Sequence, residues 1–328
     1  MPLIAITRAV PVRGSADGAS APEIAGAQVV MAPALPQLSR DELLKFVHGA
    51  TVVISMFHDR VDAAFLDAAG SQLRGICNFA VGTDNIDLNL CKSRGVIVTN
   101  TPDAVTEGTA NMAWALILAA ARRLCEGDRF VRSEQFETQG NIFPTGWLGQ
   151  HLTGQTLLIV GAGRIGKAVA LRGLAFGMRV VYAARTRHLD FEQAPIAGRR
   201  VELDDGLGLA DVVSIHTPLT PETRKLIDAR RLRLMKPTAI LVNTSRGPVV
   251  DEAALVEVLA AKQIWAAGLD VFEHEPRVHP GLLKLDNVVM SPHIGSGERY
   301  WREEMTRMAC ENASALVGGR AAPNEVKG

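Results

Sequence analysis

The sequence predicts an α/β fold with two doubly wound parallel sheets, on the basis of three observations. The chain has 328 residues, a length typical of about two domains. Short apolar runs alternate with helical stretches along most of the chain, which is typical of parallel strands covered by helices. A glycine-rich turn, "GAGRIG" at 161–166, joins a predicted strand to a predicted helix, as in nucleotide-binding sheets.

The composition excludes several classes of protein. Lys and Arg together number 35, as do Asp and Glu, so the net charge favours neither nucleic acid nor membrane as a partner. The longest apolar stretch, 111–121, is too short to span a bilayer, and the N-terminus is typical of a strand rather than a signal peptide. The four cysteines show no C-x-x-C spacing. We therefore expect no disulfide framework, no metal site and a location in the reducing cytoplasm.

The N-terminal part of the chain contains the elements of the first domain. The pattern predicts strands in "LIAITRAV", "TVVISMF" and "GVIVTN" and helices in "DELLKFVHGA" and "DAAFLDAAG". Asp41 is expected to cap the first of these helices. The segment 14–27, rich in Gly, Ala and Ser, is expected to be a loop that leads into a weak helix.

From Thr156 onward the strand pattern becomes regular and predicts a nucleotide-binding domain. The preceding stretch, 109–124, is apolar nearly all round, so this helix should be buried on more than one side. It could be an ordinary core helix, or it could pack between domains or against a second subunit. The tail, 293–317, is helical again and is expected to return to the first domain. The strands predicted for the second domain are 156–160, 179–183, 211–216, 239–243, 266–272 and 287–291.

The glycine-rich turn has the spacing of a dinucleotide-binding loop. Gly161 permits the tight turn, Gly163 lets the backbone approach a pyrophosphate, and Gly166 lets the helix pack close to the strand. The helix N-terminus offers N–H groups and a partial positive charge to the phosphates. We therefore expect this loop, including Arg164 and Ile165, to bind a dinucleotide.

The end of the next strand, "VVYAARTRH" at 180–188, indicates which dinucleotide is bound. NAD-binding folds usually place an Asp or Glu there, which binds the ribose 2′-hydroxyl. Here Ala184 is followed by Arg185, Thr186 and Arg187, and guanidinium groups would bind a 2′-phosphate through charge-assisted hydrogen bonds. The stretch predicts NADP(H) as the preferred cofactor, with NAD(H) possible. The alternative is that both arginines lie in a solvated loop.

Side chains of three kinds follow the last three predicted strands. Arg246 follows one strand, Asp270 and Glu275 belong to the next strand end, and His293 follows the last. The carboxyl ends of parallel strands face the ligand crevice in a doubly wound sheet. An arginine can hold a carboxylate, a histidine can transfer a proton, and an acid can orient the histidine. The set therefore predicts the reduction of an α-keto acid.

At these positions the sequence resembles the D-isomer-specific 2-hydroxyacid dehydrogenases, and the resemblance covers nearly the whole chain. Chance matching of so many motifs in one order is negligible. Besides the glycine loop, the matching motifs are "VGTDNID" (81–87), "GVIVTNTP" (95–102), "HTPLTPETRKLI" (216–227), "NTSRGPVVDE" (243–252), "GLDVFEHEP" (268–276) and "PHIGS" (292–296).

The resemblance implies roles in catalysis and substrate binding. Arg246 would bind the carboxylate and carbonyl of a keto acid. His293 would be the general acid in reduction, and Glu275 would pair with it. Backbone N–H groups near Val81 and Gly82 would hold the substrate carboxylate.

Cofactor contacts and an architecture are implied as well. Asp270 would hold the nicotinamide carboxamide with Thr109 nearby, and Thr217 and Pro218 would line the adenine side. The expected fold is a discontinuous substrate domain, 1–100 and 293–328, with a Rossmann-like cofactor domain, 101–292, inserted into it. Family members are usually homodimers through the cofactor domain. The full set of expected cofactor contacts is Thr109, Gly161, Gly163, Arg164, Ile165, Gly166, Arg185, Thr186, Arg187, Thr217, Pro218, Thr244, Asp270 and His293.

The stretch "YAARTRH" resembles the glyoxylate/hydroxypyruvate reductase and 2-ketogluconate reductase branches of the family. We therefore expect an NADPH-dependent reductase. Met56 and Phe57, after the strand "TVVIS", are expected to wall the substrate pocket, and their bulk favours a small substrate over a sugar acid. Two alternatives stay open at this point. The same scaffold could act on 2-ketogluconate or phosphite, or the protein could be a dinucleotide-sensing co-repressor without enzymatic activity.

Overall fold

The computed structural model describes residues 1–14, 20–139 and 145–327. They form two compact units, which we call the terminal unit (Met1–Val105 with Ser296–Gly328) and the central unit (Thr106–Gly295). Within the described ranges, no helix combines the length and the apolar character needed to cross a bilayer.

The described strands and helices follow the alternation that the sequence predicts. The strands are β1 (Leu3–Ile6), β2 (Gln28–Met31), β3 (Val52–Met56), β4 (Gly75–Phe79), β5 (Ile97–Thr99), β6 (Thr156–Val160), β7 (Arg179–Ala183), β8 (Arg199–Arg200), β9 (Val212–Ile215), β10 (Ile240–Asn243), β11 (Ala266–Leu269) and β12 (Val288–Met290). The helices are α1 (Arg40–Phe46), α2 (Ala63–Ala69), α3 (Leu88–Ser93), α4 (Thr106–Ala121), α5 (Leu124–Val131), α6 (Glu134–Gln139), α7 (Arg164–Ala175), α8 (Leu189–Glu192), α9 (Leu203–Leu209), α10 (Ala229–Leu232), α11 (Glu252–Ala260) and α12 (Arg299–Val317).

Each unit contains one parallel sheet. The sheet of the terminal unit has the strand order β2-β1-β3-β4-β5 and that of the central unit has the order β12-β11-β10-β9-β6-β7-β8. Both are doubly wound orders, so the predicted fold class is confirmed. In the central sheet the chain first moves outward from β6 to β7 and β8 and then returns to β9 beside β6. The switch point between β6 and β9 is where doubly wound folds bind ligands.

The central sheet is buried on both faces, which explains why its strands are continuous apolar runs. Successive side chains of a strand point to opposite faces. In β6, Leu157 and Ile159 join the core on one face, and Leu158 and Val160 join the core on the other. The apolar pattern that predicts this strand therefore reflects two cores rather than one.

Helix α4 corresponds to the stretch that is apolar nearly all round. It packs against β10, β11, β12 and α7, all in the central unit. Trp114 stacks on Phe176 with ring centroids 4.4 Å apart and donates its indole N–H to the carbonyl of Val169. Of the helix residues, Asn111 and Ala115 are exposed. Packing within its own unit accounts for the apolar surface, so this helix gives no separate support for a homodimer, which stays a prediction.

Two predictions about the terminal unit are wrong. Ser39, not Asp41, caps α1: its side chain accepts a hydrogen bond from the N–H of Glu42, whose carboxylate accepts the N–H of Ser39. The segment 14–27 was predicted to lead into a weak helix. Its described part, 20–27, contains no helix, because Pro22 and Gly26 disfavour helical structure. It leads into β2, which the sequence pattern did not predict, as it did not predict β4 or β8.

The limits of the two units differ slightly from the predicted domain boundaries at 100/101 and 292/293. Val105 and Gly295 are the boundary residues. His293 thus lies in the central unit instead of opening the C-terminal part of the substrate domain. The reason is local, because the N–H of His293 donates to the carbonyl of Asp270 at the end of β11. The roles assigned to the two domains stay predictions.

Candidate active site

The glycine turn after β6 is shaped by close approach of the backbone. Gly161 has φ +101°, and a Cβ there would lie 2.8 Å from the backbone of His216 and Thr217. A Cβ on Gly166 would lie 2.3 Å from the carbonyl oxygen of Gly161. At Gly163, the N-cap of α7, a Cβ would meet nothing within 4 Å. The turn therefore packs tightly on its inner side and leaves the start of α7 open for a ligand. Arg164 and Ile165 form the first turn of this helix.

Unpaired buried polar atoms lie beside this turn. The hydroxyl of Thr217 after β9, the hydroxyl of Thr244 after β10 and Nδ1 of His216 are buried and have no hydrogen-bond partner within the described ranges. Burial lowers the pKa of His216 to about 3, so its ring is neutral at pH 7. Buried polar groups without partners are costly. Their position at strand ends next to the switch point fits a bound dinucleotide, which would supply the missing partners. Pro218 follows directly and is exposed.

The two arginines that follow β7 differ in their surroundings. Arg187 forms an ion pair with Glu192 of α8, with Nε 2.6 Å from Oε2. Glu192 also accepts a hydrogen bond from the hydroxyl of Tyr182, at 2.9 Å. Arg185 is exposed, and its side chain makes no hydrogen bond or ion pair with any residue that the structure describes. Arg185 is therefore available to a ligand, whereas Arg187 is already held by a carboxylate.

The turn itself is braced from two sides. The N–H of His188 donates to the hydroxyl of Tyr182, at 2.9 Å. The guanidinium of Arg200, on β8, donates to the carbonyls of Ala184 and Arg185, at 2.9 and 3.1 Å. Thr186 lies between the two arginines, exposed. These contacts hold the backbone of the turn and leave the side chain of Arg185 facing solvent.

Arg246 is placed by the turn that follows β10. The side chain of Asn243 donates to the carbonyl of Arg246, at 2.9 Å, and accepts the N–H of Ser245, at 3.0 Å. The guanidinium of Arg246 donates to the carbonyl of Ser245, at 2.8 Å. The half-buried arginine is thus held on a short, internally bonded turn.

His293 and Glu275 form a close pair. Nδ1 of His293 lies 2.8 Å from Oε2 of Glu275, and the other carboxylate oxygen accepts the N–H of Phe272, at 2.9 Å. Burial alone would raise the pKa of Glu275, but hydrogen bonds from His293 and Phe272 and the charges of His293 and Arg246 together lower it. Glu275 is therefore ionised at neutral pH. It favours the tautomer of His293 with a proton on Nδ1.

Asp270 holds the segment that carries His293. Its carboxylate accepts the hydroxyl of Ser291, at 2.6 Å, and the N–H of Ile294, at 2.9 Å. Burial raises the pKa of Asp270 above its ordinary value. His293 has φ +53°, a left-handed conformation that is uncommon for a side-chain-bearing residue. The bonds to Asp270 on both sides of His293 stabilise that conformation.

Thr109 lies at the same place. A Cβ built on Gly295 would come within 2.9 Å of the carboxylate of Asp270 and 3.5 Å of the hydroxyl of Thr109. The structure therefore brings Thr109 and Asp270 together around Gly295. Their contacts with a nicotinamide stay a prediction. The support that Asp270 gives to the His293 turn was not foreseen, because backbone hydrogen bonds leave no mark on the sequence pattern.

The terminal unit carries the other three expected substrate contacts. Met56 ends β3 and is buried, while Val81 and Gly82 follow β4. The side chain of Asn78 donates to the carbonyl of Gly82, at 2.7 Å, and that of Asn100 donates to the carbonyl of Val81, at 2.9 Å. Two asparagines that sequence reasoning missed thus fix the peptide groups of this loop.

The central unit, considered together, defines an oxidoreductase that uses a nicotinamide dinucleotide: a phosphate-binding turn and an arginine lie at the same sheet edge as an ionised carboxylate–histidine pair. Within the described ranges, no group of His, Cys, Asp and Glu side chains could hold a metal ion. Comparison with known proteins identifies the family. Residues 114–295 match the model of the NAD-binding domain of D-isomer specific 2-hydroxyacid dehydrogenases.

Individual relatives agree with this match. The chain is 46% identical over 291 residues to a glyoxylate reductase of Thermococcus onnurineus, covering 88% of this chain and 86% of that protein. A crystal structure of a protein from Thermus thermophilus has a TM-score of 0.88 at 42% identity, covering 99% of this chain and 100% of that one. An NADPH-dependent glyoxylate/hydroxypyruvate reductase from Sinorhizobium meliloti, solved with NADP and malonate, has a TM-score of 0.80 at 29% identity, covering 99% and 96%.

The chain belongs to the D-isomer-specific 2-hydroxyacid dehydrogenases, so the resemblance seen in the sequence is confirmed. It is therefore an oxidoreductase that acts on CH–OH groups.

The lowered pKa of Glu275 predicts a pH-dependent effect of its removal. A carboxyl group whose pKa is lower in the folded state stabilises the fold above its ordinary pKa, and this contribution is lost as the pH falls through the lowered value. The ordinary value for Glu275 is 4.5. Thermal unfolding should therefore show that Glu275→Gln lowers Tm well above pH 4.5 and that the difference from wild type shrinks below it.

Glu257→Gln is the matched control, because Glu257 is an exposed glutamate on α11. Its Tm should stay close to that of wild type over the whole range. A difference for Glu275→Gln that stays constant or grows toward low pH would contradict the lowered pKa of Glu275.

Proposed function

We propose that this protein reduces a small 2-keto acid of the glyoxylate or hydroxypyruvate type to the D-2-hydroxy acid, with NADPH as the preferred cofactor. The observation that carries the proposal is the contact between Nδ1 of His293 and Oε2 of Glu275, at 2.8 Å. The positive charge of Arg246 also helps to lower the pKa of Glu275. Such a set can hold an anionic substrate and deliver a proton to it. The glyoxylate reductases among the relatives support the same substrate class.

Each residue has one task in this proposal. Arg246 binds the carboxylate of the keto acid and polarises its carbonyl group. His293 gives the proton on Nε2 to the carbonyl oxygen, and Glu275 stabilises the imidazolium while it is charged and keeps the ring oriented. Asp270 keeps the His293 turn in place. The reduced nicotinamide, when bound, supplies the hydride to the carbonyl carbon.

The remaining assignments complete the proposal. We assign substrate contacts to Met56, Val81 and Gly82 in addition to Arg246. The cofactor lies along the glycine turn, with Thr217 and Pro218 toward the adenine side, Thr109 and Asp270 toward the nicotinamide, and Thr244 as a further contact. A homodimer and a location in the cytoplasm belong to the same proposal.

The turn after β7 supports the proposed preference for NADPH. The side chain of Arg185 is exposed and makes no hydrogen bond or ion pair with the described residues, so it can donate hydrogen bonds to a 2′-phosphate without breaking an existing one. A carboxylate in the same place would repel that phosphate. Arg187 contributes less in this proposal, because Glu192 compensates its charge.

Initial rates provide the first test. The protein is assayed with glyoxylate, hydroxypyruvate, 2-ketogluconate, pyruvate and, in the oxidative direction, phosphite, each with the NADP and the NAD forms of the cofactor. The highest kcat/KM is expected for NADPH with glyoxylate or hydroxypyruvate. A higher kcat/KM for 2-ketogluconate or phosphite would assign that compound as the substrate instead. Binding of a dinucleotide without turnover of any of these acids would favour a sensing role.

His293→Ala should lower kcat by about 10²- to 10⁴-fold, because the proton donor is lost. The Kd of NADPH should stay nearly unchanged. His274→Ala is the matched control, since His274 is an exposed histidine of the same region, and it should keep near wild-type turnover. Full turnover of the His293 variant would exclude it as the proton donor.

Arg185→Ala should raise the Kd of NADPH by about 10- to 100-fold, which corresponds to the loss of one charged hydrogen bond. The Kd of NADH should rise much less. Binding is measured by calorimetric titration with each cofactor. Arg199→Ala is the matched control: Arg199 is an exposed arginine next to Arg200, and alternation along β8 directs it to the opposite face of the sheet. Equal losses for NADPH and NADH would mean that the 2′-phosphate is held elsewhere.

A further inference from the structure

A buried carboxylate that the mechanism does not use lies close to the candidate active site. Glu252 is the first residue of α11 and is only 6% exposed. One of its oxygens accepts the N–H of Glu273, at 2.7 Å, and the other accepts the N–H of His279, at 2.9 Å. An ionised carboxylate is rarely buried unless its oxygens are bound in this way. Both carboxylate oxygens of Glu252 therefore accept hydrogen bonds from the same segment of the chain.

That segment, 272–279, carries Glu275. The two N–H groups that Glu252 binds lie on either side of Glu275 in the sequence. The N–H of Phe272, the residue before Glu273, donates to Glu275 itself. Two adjacent peptide groups are thus bound by two different carboxylates, one structural and one in the pair with His293. A shift of the segment would move the carboxylate of Glu275 relative to His293.

The same segment also packs against the turn that carries Arg246. A Cβ on Gly247 would lie 1.9 Å from the carbonyl carbon and oxygen of Phe272 and 2.5 Å from the nitrogen of Glu273. Only a glycine allows that approach. The segment is therefore in direct contact with the Arg246 turn on one side and is bound to Glu252 on the other. The N–H of Glu252 in turn lies 3.4 Å from the carboxylate of Glu273.

We propose that Glu252 is a positioning residue that holds the 272–279 segment so that Glu275 stays aligned with His293 and close to Arg246. The inference rests on the proposed function, because the aligned pair is the proton donor of the proposed reaction. Glu252 touches neither substrate nor cofactor in this account. It acts through hydrogen bonds to the peptide groups of Glu273 and His279.

The test compares Glu252→Gln with wild type in the full-length protein. Glutamine has nearly the same shape, but its amide group offers an N–H where an acceptor is needed, so one of the two bonds is lost. At fixed pH, the ¹⁵N NMR signals of the His293 ring are expected to move toward those of Glu275→Gln. Glu252→Asp keeps the charge at a shorter reach and should move the same signals in the same direction.

Glu257→Gln is the matched control. Glu257 is an exposed glutamate of the same helix, and its carboxylate makes no hydrogen bond or ion pair with any residue that the structure describes. The control should leave the His293 ring signals unchanged. Unchanged signals in both Glu252 variants would overturn the proposal, as would an equal change in Glu257→Gln, which would indicate a general disturbance of α11.

Kinetics supply the second measurement. Glu252→Gln should lower kcat by about 10- to 100-fold, the effect of a small misplacement of a catalytic group, with the Kd of NADPH nearly unchanged. Shifted ring signals with wild-type kcat would overturn the positioning role. If wild type turns over none of the acids, the proposed function fails, while the NMR comparison still decides whether Glu252 aligns the pair.

Discussion

The geometry of parallel strand ends is the constraint on which the rest of the site depends. β10, β11 and β12 are neighbours in the central sheet and run in the same direction, so their carboxyl ends meet at one edge. Residues that are far apart in sequence, such as Arg246 and His293, are thereby delivered to the same place by backbone hydrogen bonds alone. No direct contact between these side chains is needed to assemble them. The sheet thus sets the location of the chemistry.

A strand end alone does not set the orientation of a side chain that lies several residues beyond it. Glu275 and His293 both lie in turns, and His293 adopts a left-handed conformation. Asp270 and Glu252, both buried, bind peptide N–H groups in these two turns. Carboxylates are suited to this task because their oxygens can accept several hydrogen bonds from different groups. In the proposed reaction the site is thus aligned by side chains that do not themselves meet the substrate.

The sequence predicts those features that have a periodic or compositional cause. The apolar strands of the central sheet, the glycine turn and the order of Arg246, Glu275 and His293 belong to this group. Hydrogen bonds between single side chains and the backbone were missed, whether the partner is near or distant in sequence. Ser39 caps α1 through Glu42, three residues away, although Asp41 was predicted as the cap, and Asn78 and Asn100 bind the carbonyls of Gly82 and Val81. β2 escaped prediction although Val29, Val30 and Met31 are apolar, because it directly follows the segment interpreted as a loop and a weak helix.

The turn after β7 shows why a count of charges in the sequence overestimates the local field. Two arginines within three residues suggest a strongly positive site, but Glu192 compensates one of them from the following helix. Hydrogen bonds from Arg187, together with one from Tyr182, lower the pKa of Glu192, so this carboxylate is fully ionised at neutral pH. Arg187 therefore contributes less to the field at the turn than Arg185 and Arg200, whose guanidinium is bound to the carbonyls of Ala184 and Arg185. In the proposed function, discrimination between the two dinucleotides depends mainly on Arg185, which is consistent with a preference for NADPH that does not exclude NADH.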